Sequence, residues 1–144
     1  METQADLIVD ISKTMENFFR CSGKMLKPSP LTIVRLINEI PPKKLITTDL
    51  LRKELARRHQ VQITCPYDTR MALREIANTP GQDVAWWRVL KANGELNPGF
   101  PGGTAGHAAH LAAEGFNIEP SGKKLRVSRY KDYLVQFEIE FAKE

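Results

Sequence analysis

Residues 85–103, AWWRVLKANGELNPGFPGG, are the stretch on which the reading of this chain turns. Trp86-Trp87-Arg88-Val89-Leu90 and Glu95-Leu96 are short extended runs on either side of Lys91-Ala92-Asn93-Gly94. An Asn-Gly dipeptide between two such runs predicts a β-hairpin. Residues 97–106 are rich in glycine and proline, which predicts a loop. An alanine-rich helix over 107–114 should follow and close at Gly115, a suitable residue just past a helix end.

Upstream, the spacing of apolar residues predicts helices. Leu7, Ile8, Ile11, Met15, Phe18 and Phe19 give an amphipathic helix over 5–19, and 21–27 reads as a loop broken at Gly23. Ser29-Pro30 has the form of an N-cap followed by proline in the first turn. The helix behind it carries Ile33, Val34, Leu36, Ile37 and Ile40 and stops at Pro41-Pro42. Thr47 or Thr48 caps a third helix over 49–58, and 60–64 forms a short strand or extended loop. Asp68 or Thr69 caps a fourth helix over 70–78, which ends near Pro80. In the tail, 124–127 and 134–141 alternate as strands and are expected to pair with each other across 128–132.

With 144 residues, 42% apolar and 26% charged, the chain supports an ordinary folded domain. Its net charge of +4 is unevenly spread. Residues 1–40 balance at zero and 92–144 at −1, while 41–91 hold ten basic side chains against five acidic ones. A basic stripe of this kind suits a nucleic-acid face, although a solvated helix surface has the same composition. The N-terminus lacks the positive charge of a signal peptide, and no apolar run is long enough to span a membrane. Two cysteines, Cys21 and Cys65, are too few for a disulfide framework and read as structural thiols. The expectation is an intracellular protein, cytoplasmic or nucleoid-associated, without a membrane partner.

Three helices and a hairpin, with basic charge from the middle of the chain onward, follow the order of a winged helix-turn-helix. The fold class expected is α+β, mainly helical. Residues 1–28 form an N-terminal helical extension, 29–118 a winged-helix domain, and 119–144 a C-terminal β-strand extension. The recognition helix falls at 70–78 and the wing at Asn93-Gly94.

From Leu31 to Phe116 the chain also resembles the C-terminal DNA-binding domain of O6-alkylguanine-DNA alkyltransferases, and most of all the non-catalytic alkyltransferase-like proteins. The residues that carry this are Arg88-Val89-Leu90, Asn93-Gly94-Glu95-Leu96, Phe100-Pro101-Gly102-Gly103, Leu111 and Ala113-Glu114-Gly115. Where the alkyltransferases have Pro-Cys-His-Arg, this chain has Ala85-Trp86-Trp87-Arg88. An indole is neither an alkyl acceptor nor a usable base, so the resemblance implies no alkyl transfer. The helix-end Glu114 matches the glutamate that orients the family histidine, and here loses that purpose.

The resemblance implies a non-enzymatic protein that binds double-stranded DNA and extrudes an alkylated guanine into a vestigial pocket, with a repair protein as a further partner. Flipping costs a few kcal/mol of stacking, less at a damaged pair, and an aromatic pocket recovers part of it. Trp86, Phe100 and Gly102 line that pocket in this reading, unless the tryptophans simply fill the core. Phosphate contacts fall to Arg52, Lys53, Arg70, Arg74 and Arg88. Arg70 matches the arginine that enters the duplex where the base leaves, or else is a surface arginine paired with Asp68 or Glu75. The chain departs from the family at Met71, Leu73 and Glu75 on the recognition helix, at Thr48 for a tyrosine, at Thr79-Pro80 for Asn-Pro, and at Ala85. The competing reading is a winged-helix interaction module that binds protein or undamaged DNA, its pocket closed by tryptophan. A monomer without cofactor or metal is expected, since His107 and His110 stand three apart without further ligands and read as surface histidines.

Overall fold

The Ser29-Pro30 pair does what its chemistry predicts. In the computed structural model, which describes residues 5–137, Ser29 Oγ accepts the Thr32 amide at 3.3 Å and Pro30 opens α2 (Pro30–Ile37). The buried face of that helix, Ile33, Val34, Leu36 and Ile37, seats it in the core. The next helix, α3 (Thr48–His59), begins after Thr47 and ends at Gln60, whose φ is 56°. Its Glu54 is buried but bonded by Arg57 and Arg58, so the charge stays compensated. Helix α4 (Pro66–Asn78) starts four residues ahead of the expected Arg70. Pro66 supplies the first turn, and neither Asp68 nor Thr69 caps it: Asp68 pairs with Lys27 at 3.4 Å and the Thr69 hydroxyl donates to the Cys65 carbonyl.

Several expectations are corrected at the ends of the chain. Leu7–Asp10 is a strand, β1, and helix α1 covers only Lys13–Phe19. Ser12 separates the two, accepting the Met15 amide through its hydroxyl; the β-branched Ile8-Val9 pair favours the strand over the helix that the spacing alone suggested. The expected loop after Cys21 contains β2 (Lys24–Lys27), antiparallel to β1 with Leu7 opposite Lys27. Helix α1 lies in the connection between them, and Gly23, at φ 119°, accepts the Ile11 amide at 2.8 Å where β2 begins. Strand β4 (Ile63–Thr64) adds parallel to β2, giving a sheet in the order β1-β2-β4.

The hairpin at Asn93-Gly94 is a turn without a ladder. Gly94 N–H reaches the Lys91 carbonyl and Lys91 N–H reaches that of Glu95, both at 2.9 Å. The two arms then part. Strand β5 (Val89–Leu90) pairs in parallel with β3 (Ile46–Thr47), while Glu95 bridges to Arg126. Helix α5 (Gly103–Ala113) begins four residues before the expected His107.

Strand β7 (Lys124–Val127) is present, but it pairs with β6 (Ile118–Ser121) across Gly122 rather than with 134–141. Gly122 at φ 63° permits the tight two-residue turn that keeps the partners local. Leu134 instead lies beside Leu45 in a parallel bridge, and the last part of the expected strand, 138–144, lies outside the described residues. Two buried clusters result. One gathers α2, α3, α4, Trp86 and Phe100; the other gathers Leu45, Leu90, Leu96, Leu111, Phe116 and Val127.

Candidate nucleic-acid interface

Helix α4 places Arg70 and Arg74 one turn apart on the same exposed face, as i and i+4 spacing requires. They border a groove of about 330 Å³ whose other walls come from Thr48 and Arg52 of α3, Lys91 after β5, and the Asn97-Pro98-Gly99 loop. Among the described residues four cations line it and no carboxylate does. Arg52 and Lys91 are half-buried, and none of the four joins an ion pair among the described residues. Arg70 pairs with neither Asp68 nor Glu75; its guanidinium lies 5.5 Å from the centre of the Tyr67 ring. Glu75, which on the groove side would repel phosphates, lines a separate depression with Tyr67, Asp68 and Met71. Lys53 sits outside the groove, in the adjoining depressions along α3.

Three hydrogen bonds that involve side chains hold the Asn97-Pro98-Gly99 wall. Asn97 Oδ1 accepts the Gly99 amide at 2.8 Å, and Asn78 Nδ2 of α4 donates to the Gly99 carbonyl at 3.3 Å. The third comes from His107, which is fully buried rather than on the surface as expected. Its Nδ1 accepts the Asn97 amide at 3.0 Å and its Nε2–H donates to the Trp87 carbonyl at 2.8 Å, which fixes a neutral tautomer. Burial, aided by nearby His110, pushes the imidazole down to about 4 against the pull of the Trp87 carbonyl. The ring therefore stays uncharged at neutral pH. Gly99 also makes room for an arginine, because a Cβ there would sit 3.1 Å from Arg74 Nε.

Trp86 and Phe100 pack edge to face at 5.1 Å, and only 7% and 3% of each remains exposed. Neither lines the groove. Gly102 precedes α5 at φ 78°, and the atom nearest to a Cβ there is Gly106 Cα at 3.0 Å, so the close approach it permits is internal. Trp86 and Phe100, assigned to an open pocket, are thus packed in the core behind the groove loop, and Gly102, though exposed, does not line the groove.

Arg88 also needs correction. Its Nη2 lies 2.9 Å from Glu114 Oε2, its Nη1 donates to the Ile40 carbonyl at 2.8 Å, and its side chain is 15% exposed. The guanidinium is consumed by internal partners and is not offered to phosphates. Glu114 keeps a structural job instead of an orienting one. Besides Arg88 it accepts Trp87 Nε1–H at 2.8 Å and the Lys43 amide at 2.7 Å. Burial would raise its carboxyl, but these bonds hold it below the usual carboxylate range.

Lys91 and the Asn97–Gly99 wall escaped the sequence reading. Lys91 appeared there only as one more charge in the basic segment, because nothing local shows that the turn after β5 faces α4. Its companion signal, glycine and proline crowded behind the turn, was visible.

Two solved structures match this architecture: S. pombe ATL in complex with DNA, with a TM-score of 0.57, and S. pombe Atl1 in complex with damaged DNA containing O6-carboxymethylguanine, with a TM-score of 0.56. The fold is shared. Each match is 19% identical and covers 74% of this chain and 94% of the S. pombe chain. No family model and no curated protein sequence matches the chain.

Proposed function

We propose that the chain is a non-enzymatic, DNA-binding protein of the alkyltransferase-like type, which receives an alkylated guanine in the α4 groove without taking the alkyl group. The observation that carries this is the groove itself. Four cations that join no ion pair among the described residues give it a concentrated positive charge, and a duplex supplies phosphates to meet it. At about 330 Å³ the space lies at the small end of ligand sites, suited to one extruded nucleotide rather than a larger guest. The shared fold supports the reading, since the S. pombe proteins that have it were solved with DNA, one of them with an O6-carboxymethylguanine lesion.

Alkyl transfer has no nucleophile at the position the resemblance indicates. Trp86 is packed on Phe100, and Trp87 donates its indole N–H to Glu114. Recognition then consists of neutralising the backbone with Arg70 and Arg74, inserting α4, and exchanging lost base stacking for contacts with the groove wall.

The burial of Trp86 favours a second reading, in which the module binds DNA without regard to damage. Matched duplexes with and without a single O6-methylguanine separate the two when titrated against tryptophan fluorescence. The lesion reading expects roughly tenfold or tighter binding to the damaged duplex and an unchanged protein mass afterwards. Equal affinity for both would overturn it in favour of damage-blind binding. A mass gain of one methyl group would overturn the non-enzymatic part.

A further inference from the structure

We propose that the free edge of strand β1 pairs with the same edge of a second copy of this chain, giving a two-fold dimer whose two three-stranded sheets run on as one. None of the residues lining the α4 groove comes from β1 or α1, so this pairing is separate from the DNA reading.

The backbone directions come first. Ile11 N–H donates to the Gly23 carbonyl at 2.8 Å, while the Lys24 and Leu26 carbonyls turn the other way and accept the Gln62 and Cys65 amides at 3.1 and 2.8 Å. An antiparallel ladder alternates, so Leu7 and Val9 direct their backbone groups at β2, and Ile8 and Asp10 point theirs out of the sheet. Strand β1 ends the order β1-β2-β4, and among the described residues no strand meets its outer edge. It carries no lysine, proline or bulge of the kind that blunts an exposed edge.

Apolar surface adjoins that edge. Six large apolar side chains are exposed among the described residues, and five of them, Leu7, Ile8, Met15, Phe18 and Leu31, belong to β1, α1 and the first turn of α2. Asp6, just before β1, accepts the Ser29 amide and the Thr32 hydroxyl, which holds the start of α2 beside the strand. Leu7, Ile8 and Phe18 are 57%, 52% and 67% exposed. The five leave roughly 400 Å² of side chain uncovered per copy. Two such patches, with the two strand backbones, approach the ~1,000 Å² that a specific interface needs.

Charge selects the register. With Ile8 and Asp10 facing outward on both strands, the two-fold axis can pass through Ile8, Val9 or Asp10. An axis at Ile8 sets Asp6 against Asp10 of the second copy, and an axis at Asp10 sets that carboxylate against itself; like charges directly opposite destabilise a sheet. An axis at Val9 sets Ile8 against Asp10, Leu7 against Ile11 and Val9 against Val9. No like charges then oppose, and Leu7, Val9 and Ile11 of both copies form one apolar stripe.

Sedimentation equilibrium of the full chain tests this. The wild type is expected at twice 16.3 kDa when present at about 100 μM. Ile8→Pro removes an N–H that no bond within the chain uses, and Val9→Lys opposes two charges on the axis. Each should weaken dimerisation about tenfold or more while keeping the circular dichroism spectrum of the wild type. In a Cys21→Ser background, Val9→Cys should form an intermolecular disulfide under mild oxidation and Leu7→Cys should not, because only position 9 meets itself. A wild type that sediments at 16.3 kDa at that concentration overturns the proposal. So does a dimer that survives Ile8→Pro with its fold intact, or one that cross-links at position 7 and not at 9. Should either variant fail to fold, the wild-type mass and the cysteine pair still decide.

Discussion

Replacing Glu114 by alanine removes the acceptor for three groups at once: the Arg88 guanidinium, the Trp87 indole N–H and the Lys43 amide. Charge-assisted bonds of this kind contribute roughly 1.5–3 kcal/mol each and a neutral one about 1 kcal/mol. The side chains of Glu114 and Arg88 are 13% and 15% exposed, so some water reaches the pair when it breaks. The cost should fall near the lower end of the ~3–5 kcal/mol seen when a buried charge loses its partner. Arg88 keeps the Ile40 carbonyl, which limits the loss further. An expected ~3 kcal/mol corresponds to a fall in melting temperature of about 6–12 °C for a chain of this size. Thermal unfolding followed by circular dichroism measures it, and pairing the change with Arg88→Met isolates the coupling, expected at about 2 kcal/mol. A fall below about 2 °C, or coupling near zero, would refute the claim that Glu114 and Arg88 are structural rather than free for DNA.

Three further outcomes follow from the same geometry. Arg88→Gln should lower stability while changing DNA affinity little, whereas Arg74→Gln should weaken DNA binding several-fold at unchanged melting temperature; paired melts and salt titrations distinguish them, with a wild-type slope of about −4 to −5 in log K against log salt if roughly 4–6 phosphates are neutralised. His107 lies near 4 when folded against 6.5 for a free imidazole, so the unfolded chain binds its proton first. Its contribution to stability is therefore full above about pH 6.5 and declines as pH falls toward 4, by up to ~1.4 kcal/mol per pH unit, and urea unfolding of His107→Gln should show a flatter profile over that window. Gly94→Ala should destabilise by roughly 2 kcal/mol or more, since the position sits at φ 83° and a Cβ there would meet the Tyr130 ring; a denaturation midpoint equal to wild type would contradict the turn geometry.

Much of the central domain was legible because its signals are local. Ser29-Pro30, the leucines of α3 and the apolar face of α4 each fix a helix within a few residues of its own sequence. The strand pairings near the ends of the chain were not, because Leu7–Asp10 meets its partner across the intervening α1 and Lys124–Val127 turns back at Gly122 onto Ile118–Ser121, and neither segment shows which neighbour lies within reach. The same limit applied to the site. Arg70 and Arg74 could be placed on one helix face from their spacing, but Arg88 carries the same charge and turns inward, toward a glutamate 26 positions away. Sequence shows charge; it does not show which charges are already paired.

The assignment of DNA to the α4 groove is tested most directly by nitrogen-15 spectra of the arginine Nε–H groups and backbone amides during titration with a duplex carrying one O6-carboxymethylguanine. The account predicts that Arg52, Arg70 and Arg74 Nε–H signals and the Gly99 amide shift together, while Arg88 Nε–H and Trp87 Nε1–H hold their positions. Shifts confined to Arg88 and Trp87, with the groove signals unmoved, would contradict it.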